Sequence, residues 1–335
     1  MSFGYKVLGF GSGSIRGPFL VATGGTEVTD GDYKTHIFTG PGSFCVASTG
    51  TCAGANVVDY LVVAGGASAG AHGPSTGGGG AGGFRYFSAL SPAGSPLVAP
   101  VGVEVVKSPY SITVGAGAPK GDPTGPGVGG QGSDSIFSSI TSAGGGGGGG
   151  MSDIPGADGG SGGGGGNKSG GTTPGGSGNV PTVSPAQGND GGFGGQLTPG
   201  PSGNHRQGGG GGGAGVAGGD VTPSTWGGLG GDGSYIPDGF IGPTAPTYGT
   251  AGPVGSTRYF AGGGGGSVYT SPCSPTGGGA GGAGGGSAGA GGPSNSAEDA
   301  TVNTGGGSGG AACLTPSRND ATGGSGIVMI RYKFQ

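Results

Sequence analysis

Large apolar side chains are scarce in this chain: Val, Ile, Leu and Phe together supply about 16% of its 335 residues, below the roughly 20% that ordinary hydrophobic cores use. A conventional enzyme core is therefore excluded as the main architecture. Charge is equally thin. Twelve Lys and Arg stand against 16 Asp and Glu, leaving a net charge of −4, so no basic footprint for nucleic acid and no polybasic patch for a membrane surface is expected. No run of about 20 apolar residues occurs, and Met1-Ser-Phe-Gly-Tyr-Lys is not a charged segment leading into an apolar one; this predicts neither a spanning helix nor an export signal. Only three histidines are present, and Cys45, Cys52, Cys273 and Cys313 lack CxxC spacing, which argues against structural zinc and predicts no cofactor. By spacing, Cys45 with Cys52 and Cys273 with Cys313 suit disulfides, and four free thiols in a reducing cytoplasm suit the sequence equally.

Helical signal is also missing, because no stretch of ten residues free of Gly and Pro shows a 3.6-residue apolar period. What is present is glycine, 102 of 335 residues. Short β-branched and aromatic runs accompany it. Tyr33–Phe38 (YKTHIF), a Gly40-Pro41-Gly42 turn and Ser43–Ala47 (SFCVA) read as a hairpin. Val57–Ala64 (VVDYLVVA), Ser111–Val114 and Ser135–Ile140 read as further strands. In Ile327–Phe334, Val328, Ile330, Tyr332 and Phe334 alternate with Arg331 and Lys333, which predicts an edge or half-buried strand. Composition shifts near Val57, dividing a β-rich region, 1–56, from a glycine-rich domain, 57–335.

Eleven glycine-dense segments follow, at 77–83, 144–150, 159–166, 170–178, 188–195, 208–219, 227–233, 262–266, 277–292, 305–310 and 323–326, punctuated by Pro, Ser, Thr and Asn. Uninterrupted Gly144–Gly150 and Gly208–Gly213 break the Gly-X-Y register of collagen. The conformation expected is the extended threefold helix of polyglycine II, with about 3.1 Å rise and no internal hydrogen bonds. Lacking Cβ atoms, such helices can approach closely enough to bond sideways to one another. The predicted fold class is thus all-β plus polyglycine II: β-sandwich-like strands with a bundle of inter-hydrogen-bonded polyglycine helices and almost no α-helix. Residues other than glycine, such as Ala214, Ala280 and Ala283, are expected on faces without a close neighbour or in loops.

Catalytic motifs carry little weight in such a composition. GxGxxG patterns recur by chance, and Gly162–Ser169 (GGGGGNKS) has Asn167 where a phosphate loop needs Gly before Lys168. The GxSxG matches at Ser161 and Ser308 lie inside glycine tracts, without a strand-to-helix elbow. His36, His72 and His205 are scattered, and of the three glutamates, Glu27, Glu104 and Glu298, only the last has an adjacent acid. The chain is not expected to be an enzyme.

The blocks Asp32–Ser43, Val58–Gly66, Gly77–Arg85, Ile112–Gly117, Ser139–Gly150, Asp238–Gly252, Arg258–Gly266 and Gly323–Phe334 resemble, in combination and order, the glycine-rich tail-fibre and adhesin proteins of tailed phages of marine bacteria, cyanophages among them. A more distant likeness is to the glycine-rich domain of anaplastic lymphoma kinase type receptors, a β-sandwich carrying polyglycine helices; it is architectural only. The first resemblance implies a virion protein at the tail fibre, made without a signal peptide, that attaches to a host surface receptor such as a glycan or outer-membrane component. It also implies docking to other tail-fibre or virion proteins through the N-terminal region and a homotrimer, with no nucleic acid and no membrane insertion. A non-catalytic structural role, as fibre segment, capsid decoration or filament subunit, is the alternative. Recognition belongs in loops on a fixed scaffold. Asn204, His205, Arg206, Trp226, Tyr235 and Tyr248 combine rings that can cover a sugar face with groups that can bond its hydroxyls. Tyr259 and Phe260, beside a glycine run, are expected to anchor the bundle.

Overall fold

The β-branched runs form strands, and the strands stack. In the computed structural model the described residues are 19–51, 55–71, 73, 75–90, 95–121, 127–196, 199–200, 203–222, 226–255, 257–269, 277–291, 297–312 and 321–335. Ten strands precede the first long glycine run of the centre: β1 (Val21–Thr23), β2 (Thr26–Asp30), β3 (Tyr33–Phe38), β4 (Gly42–Ser48), β5 (Val57–Val63), β6 (Phe84–Phe87), β7 (Val103–Glu104), β8 (Pro109–Thr113), β9 (Ser135–Phe137) and β10 (Ile140–Ser142). One sheet has the order β1-β4-β8-β9-β10; the other runs β2-β3, then the C-terminal strand Ile327–Lys333, then β5-β6, with β7 paired to β5. Phe44, Val46, Ile112 and Phe137 from the first sheet meet Tyr60, Val62, Val328, Ile330 and Tyr332 from the second in one buried cluster. This is a β-sandwich. Burying each of these side chains is worth roughly 1.5–3 kcal/mol. Alternate residues of the second sheet, Leu61, Val63, Ile327 and Met329, face away and pack under Phe240, Ile241 and Phe260. Among the described residues helix is confined to Asp238–Ile241 and a 3-10 turn at Ala245–Thr247.

Several sequence expectations need correction. β3 and β4 are not a hairpin: the turn between them carries the chain from one sheet to the other. Ser135–Ile140 is not one strand but begins a hairpin of β9 and β10, with Ser138 at φ 55° in the turn. The strand Ile327–Lys333 is central, buried on both faces up to Tyr332. Its Arg331 does not face solvent, because Asp59 lies directly across in β5 and accepts from Nη1 at 2.9 Å, while the guanidinium lies over the Tyr33 ring. Burial pushes the Asp59 carboxyl up, against the Ala89 N–H and the Arg331 charge that favour its ionised form. Strands on both sides of residue 56 share these sheets, since β3 pairs with Ile327–Lys333 and β4 with β8.

The strands run directly into the glycine segments. β5 continues into 64–70, β10 into 143–150, and 77–83 leads into β6. Segment 77–83 is wholly buried, and its hydrogen bonds repeat every third residue. Gly77, Gly80 and Gly83 donate to Gly149, Gly146 and Ala143; Gly78 and Ala81 donate to Gly209 and Gly212; Gly79 and Gly82 donate to Ser308 and Gly305. Its carbonyls do the same in other directions: Gly77, Gly80 and Gly83 accept from Gly70, Ala67 and Ala64, Gly78 and Ala81 from Gly164 and Ser161, and Gly79 from Gly264. A β-ladder would repeat every second residue. A period of three, directed at six separate neighbours, is the bonding of a threefold helix in a hexagonal bundle. Segments 208–214 and 261–267 have the same sixfold surroundings, the first bonded to 78–81, 162–165, 189–192, 216–219, 228–231 and 261–267.

Not every buried position of the bundle is glycine, contrary to the sequence expectation. Ala280 is exposed and Ala283 half-buried. Ala214, however, is buried against the second apolar cluster with Ala81 and Ala261. Ser68, Ser267 and Ser308 are also fully buried, and their hydroxyls accept from the backbone N–H of Gly130, Thr76 and Ala69, each at 2.8 Å. A serine here supplies the partner that a neighbouring run does not.

His36 ties the edge of the sandwich together. Its Nδ1 lies 2.6 Å from the Gly24 carbonyl and its Nε2 lies 3.1 Å from the Tyr332 hydroxyl, so the neutral Nδ1–H tautomer donates to the first and accepts from the second. The Tyr332 hydroxyl in turn accepts from Ala22 N at 3.2 Å. Glu27 stands 4.0 Å from the ring but is held by Lys34 at 2.9 Å. Desolvation holds the His36 pKa below its ordinary value, and burial raises the Tyr332 hydroxyl to about 12.

Two expectations follow. A Cβ at Gly264 would lie 1.9 Å from the Ser308 carbonyl oxygen, whereas one at Gly277 meets nothing within 4 Å. In thermal denaturation Gly264→Ala should lose about 3 kcal/mol or more, or fail to fold, while Gly277→Ala should change stability by less than about 1 kcal/mol. For His36 the unfolded chain takes up a proton near 6.5 and the folded chain only at lower pH, so the unfolded state binds more protons below 6.5 and stability falls on acidification. From pH 7.5 to 5.5 the chain should lose stability with a slope of up to about 1.4 kcal/mol per pH unit; melting curves of His36→Gln should show a flatter dependence.

Candidate functional site

The glycine segments fix where the predicted recognition residues lie. Gly228 and Gly231 donate to the carbonyls of Gly208 and Gly211, so segment 228–231 runs parallel to 208–211. Residues just before these segments lie together at one end of the bundle. Residues just after them, 214 and 234–236, lie at the other end, beside the second apolar cluster. Six residues of threefold helix span roughly 19 Å. At the first end, remote from the sandwich, His205 and Trp226 come into ring contact, centroids 5.7 Å apart. Arg206 and Gln207 pair with Tyr269 and Val268 in a four-stranded cap. Trp226 is 46% exposed, and His205 Nε2 and Arg206 Nε are buried without a hydrogen-bond partner among the described residues. Asn204 belongs to the two-residue strand Gly203–Asn204, and its side chain lies outside the described residues.

Tyr235 and Tyr248 belong to the opposite end. Tyr235 lies across from Tyr259 in an antiparallel pair, with ring centroids 5.3 Å apart. Tyr248 packs against the second apolar cluster. Its carbonyl accepts from Arg258 Nε at 2.7 Å, and Arg258 Nη2 donates to Gly249 O at the same distance. Tyr259 and Phe260 are buried, as expected of anchors. The bundle divides the expected recognition residues: His205, followed in the chain by Arg206, meets Trp226 at the first end, whereas Tyr235 and Tyr248 lie at the opposite end.

The remaining motif residues have structural surroundings. Asn167 is buried and donates to Ser75 O at 2.9 Å, and Lys168 lies 3.8 Å from Asp153. Ser161 and Ser308 are enclosed in the bundle. Among the described residues no group of three or more His, Cys, Asp and Glu is placed to hold a metal ion. Cys45 is exposed with a free thiol, 3.3 Å from Ser43 Oγ; Cys52, Cys273, Cys313 and His72 lie outside the described residues.

Comparison with known proteins adds one finding. A search of curated proteins gave no match, whereas a family model described as a glycine-rich domain matches residues 39–333. That span takes in most strands of both sheets, the bundle and the cap at its far end. The chain belongs to this glycine-rich domain family.

Proposed function

We propose that this chain is a phage tail-fibre adhesin that recognises a host surface receptor through the far end of the glycine bundle. The observation that carries the reading is the contact of the His205 and Trp226 rings there: a half-exposed indole beside a histidine that is followed in the chain by Arg206, with His205 Nε2 and Arg206 Nε buried and without a hydrogen-bond partner among the described residues. A half-exposed indole among polar side chains suits a polyhydroxylated ligand, whose apolar face stacks on the ring while its hydroxyls bond the polar groups around it. The bundle suits the task mechanically. Its peptide groups are cross-linked in six directions, so the end presents its side chains on a rigid support. The ordered resemblance of the sequence blocks to glycine-rich phage tail-fibre proteins supplies the biological setting. In this reading the N-terminal region, 1–56, joins the chain to other virion proteins, three copies assemble, and no catalytic step, cofactor, nucleic acid or membrane insertion is involved.

Labelled full-length protein added to cells of the bacterial host should bind saturably. Trp226→Ala should weaken that binding by about tenfold, an indole contact being worth roughly 1–2 kcal/mol, with an unchanged melting curve. Equal binding by the variant, or a virion map in which Trp226 is buried between copies, would overturn the reading in favour of a structural fibre or decoration subunit.

A further inference from the structure

At one edge of the sandwich β6 and β10 are the outermost strands of their sheets. A cleft of about 320 Å³ opens there, within the size range of small-ligand sites. Tyr60 and Arg85 line it from the second sheet, Ser138 and Ser139 from the β9–β10 turn, and Ser184 and segment 99–104 from either side. Arg85 is half-buried and, among the described residues, has no ion pair, hydrogen bond or ring contact. That sets it apart from the other arginines of the apolar region. Arg331 is neutralised by Asp59, and Arg258 donates from Nε and Nη2 to backbone carbonyls. Glu104, the one carboxylate in the lining, is engaged by Asn56 Nδ2 at 2.7 Å and makes no ion pair with Arg85. The Tyr60 hydroxyl likewise has no partner among the described residues. Burial raises its pKa, and the nearby Arg85 charge works in the opposite direction.

We propose that this cleft binds one carboxylate-bearing sugar ring, with Arg85 receiving the carboxylate and the hydroxyls of Tyr60, Ser138, Ser139 and Ser184 bonding the ring hydroxyls. A guanidinium presents paired N–H donors at the spacing of a carboxylate's oxygens, and a partly desolvated, unpaired one gains most from the match. Pro100, Val101 and Ile140 supply apolar wall for the C–H face of the ring. The hydroxyl-rich lining selects a sugar acid over a bare anion. The site belongs to the sandwich and the Trp226 cluster to the far end of the bundle, so the two stand or fall separately.

The full-length chain is titrated by calorimetry with glucuronate, glucose and acetate at low ionic strength. Glucuronate should bind saturably, with glucose and acetate at least about tenfold weaker, and Arg85→Gln should reduce glucuronate affinity by about tenfold or more, the strength of a charge-assisted contact. The melting temperature should not change, because Arg85 has no partner to lose. Tyr60→Phe should give a smaller reduction. Should Arg85→Gln fail to fold, Ser139→Trp, on the exposed turn, fills the mouth and should abolish binding. Absence of glucuronate binding at millimolar concentration, affinities equal for glucuronate and glucose, or affinity unaffected by both variants would overturn the proposal. Acetate binding as tightly as glucuronate would overturn the sugar specificity and leave an anion site.

Discussion

The lateral hydrogen bond between peptide groups that carry no side chain is the interaction on which the rest of the structure depends. Ordering a residue's backbone costs roughly 1–2 kcal/mol, and a hydrogen bond returns a net of about 0.5–1.5. A single glycine run therefore has no reason to order. A run whose N–H and C=O groups are both taken by neighbours can come close to balance, and segment 77–83 reaches that state by using six of them. At most interior positions the same geometry excludes side chains. A Cβ at Gly78 or Gly211 would lie 2.1 or 2.0 Å from the backbone oxygen of Gly264 or Gly79, and no rotamer relieves a contact made by Cβ itself. Glycine abundance and close packing are thus one requirement seen from two sides.

Near-balance needs a seed, and the sandwich provides it. Its apolar residues are few, but they are concentrated: one cluster lies between the two sheets and another beneath Phe240 and Phe260. Because β5, β6, β10 and the C-terminal strand connect directly to glycine segments, the register of the strands is carried into the bundle. Ala81, Ala214 and Ala261 mark the transition, where a methyl group still finds apolar company. The hydrophobic nucleus and the hydrogen-bonded bundle are therefore successive parts of one body, with the glycine runs buried within it.

The local character of the chain was legible in the sequence, and its long-range pairing was not. Tyr33–Phe38 and Val57–Val63 are strands because β-branched and aromatic residues crowd there, and the glycine runs announce themselves by composition. The hairpin expected between β3 and β4 failed because a Gly-Pro-Gly turn signals a reversal without saying whether the next strand pairs or crosses to another sheet. Arg331 and Lys333 alternating with apolar residues predict an edge or half-buried strand at the C-terminus; only Asp59, 272 positions away, makes a buried arginine acceptable. The buried serines were equally hidden, since a hydroxyl that replaces a missing neighbour is recognisable only when the neighbours are known. As for the candidate site, the residue types of His205, Arg206 and Trp226 were readable, but their separation from Tyr235 and Tyr248 follows from the parallel course of 208–211 and 228–231.

An interior in which most positions admit no Cβ also constrains where recognition chemistry can be. In an ordinary domain a pocket can be carved among core side chains, by exchanging large residues for small ones. Where the bundle is glycine there is little to exchange: enlarging a residue such as Gly78 or Gly211 collides with a backbone oxygen, and glycine cannot be made smaller. Ionisable and aromatic groups must then sit where runs begin or end, or on the sandwich from which they grow. His205 and Arg206 stand immediately before Gln207 and the run from Gly208, Trp226 precedes Gly227, and Arg85 follows the run ending at Gly83 by two residues. The two candidate sites lie at opposite ends of the same hydrogen-bonded solid, and its stiffness allows the side chains at either end to change without disturbing the other.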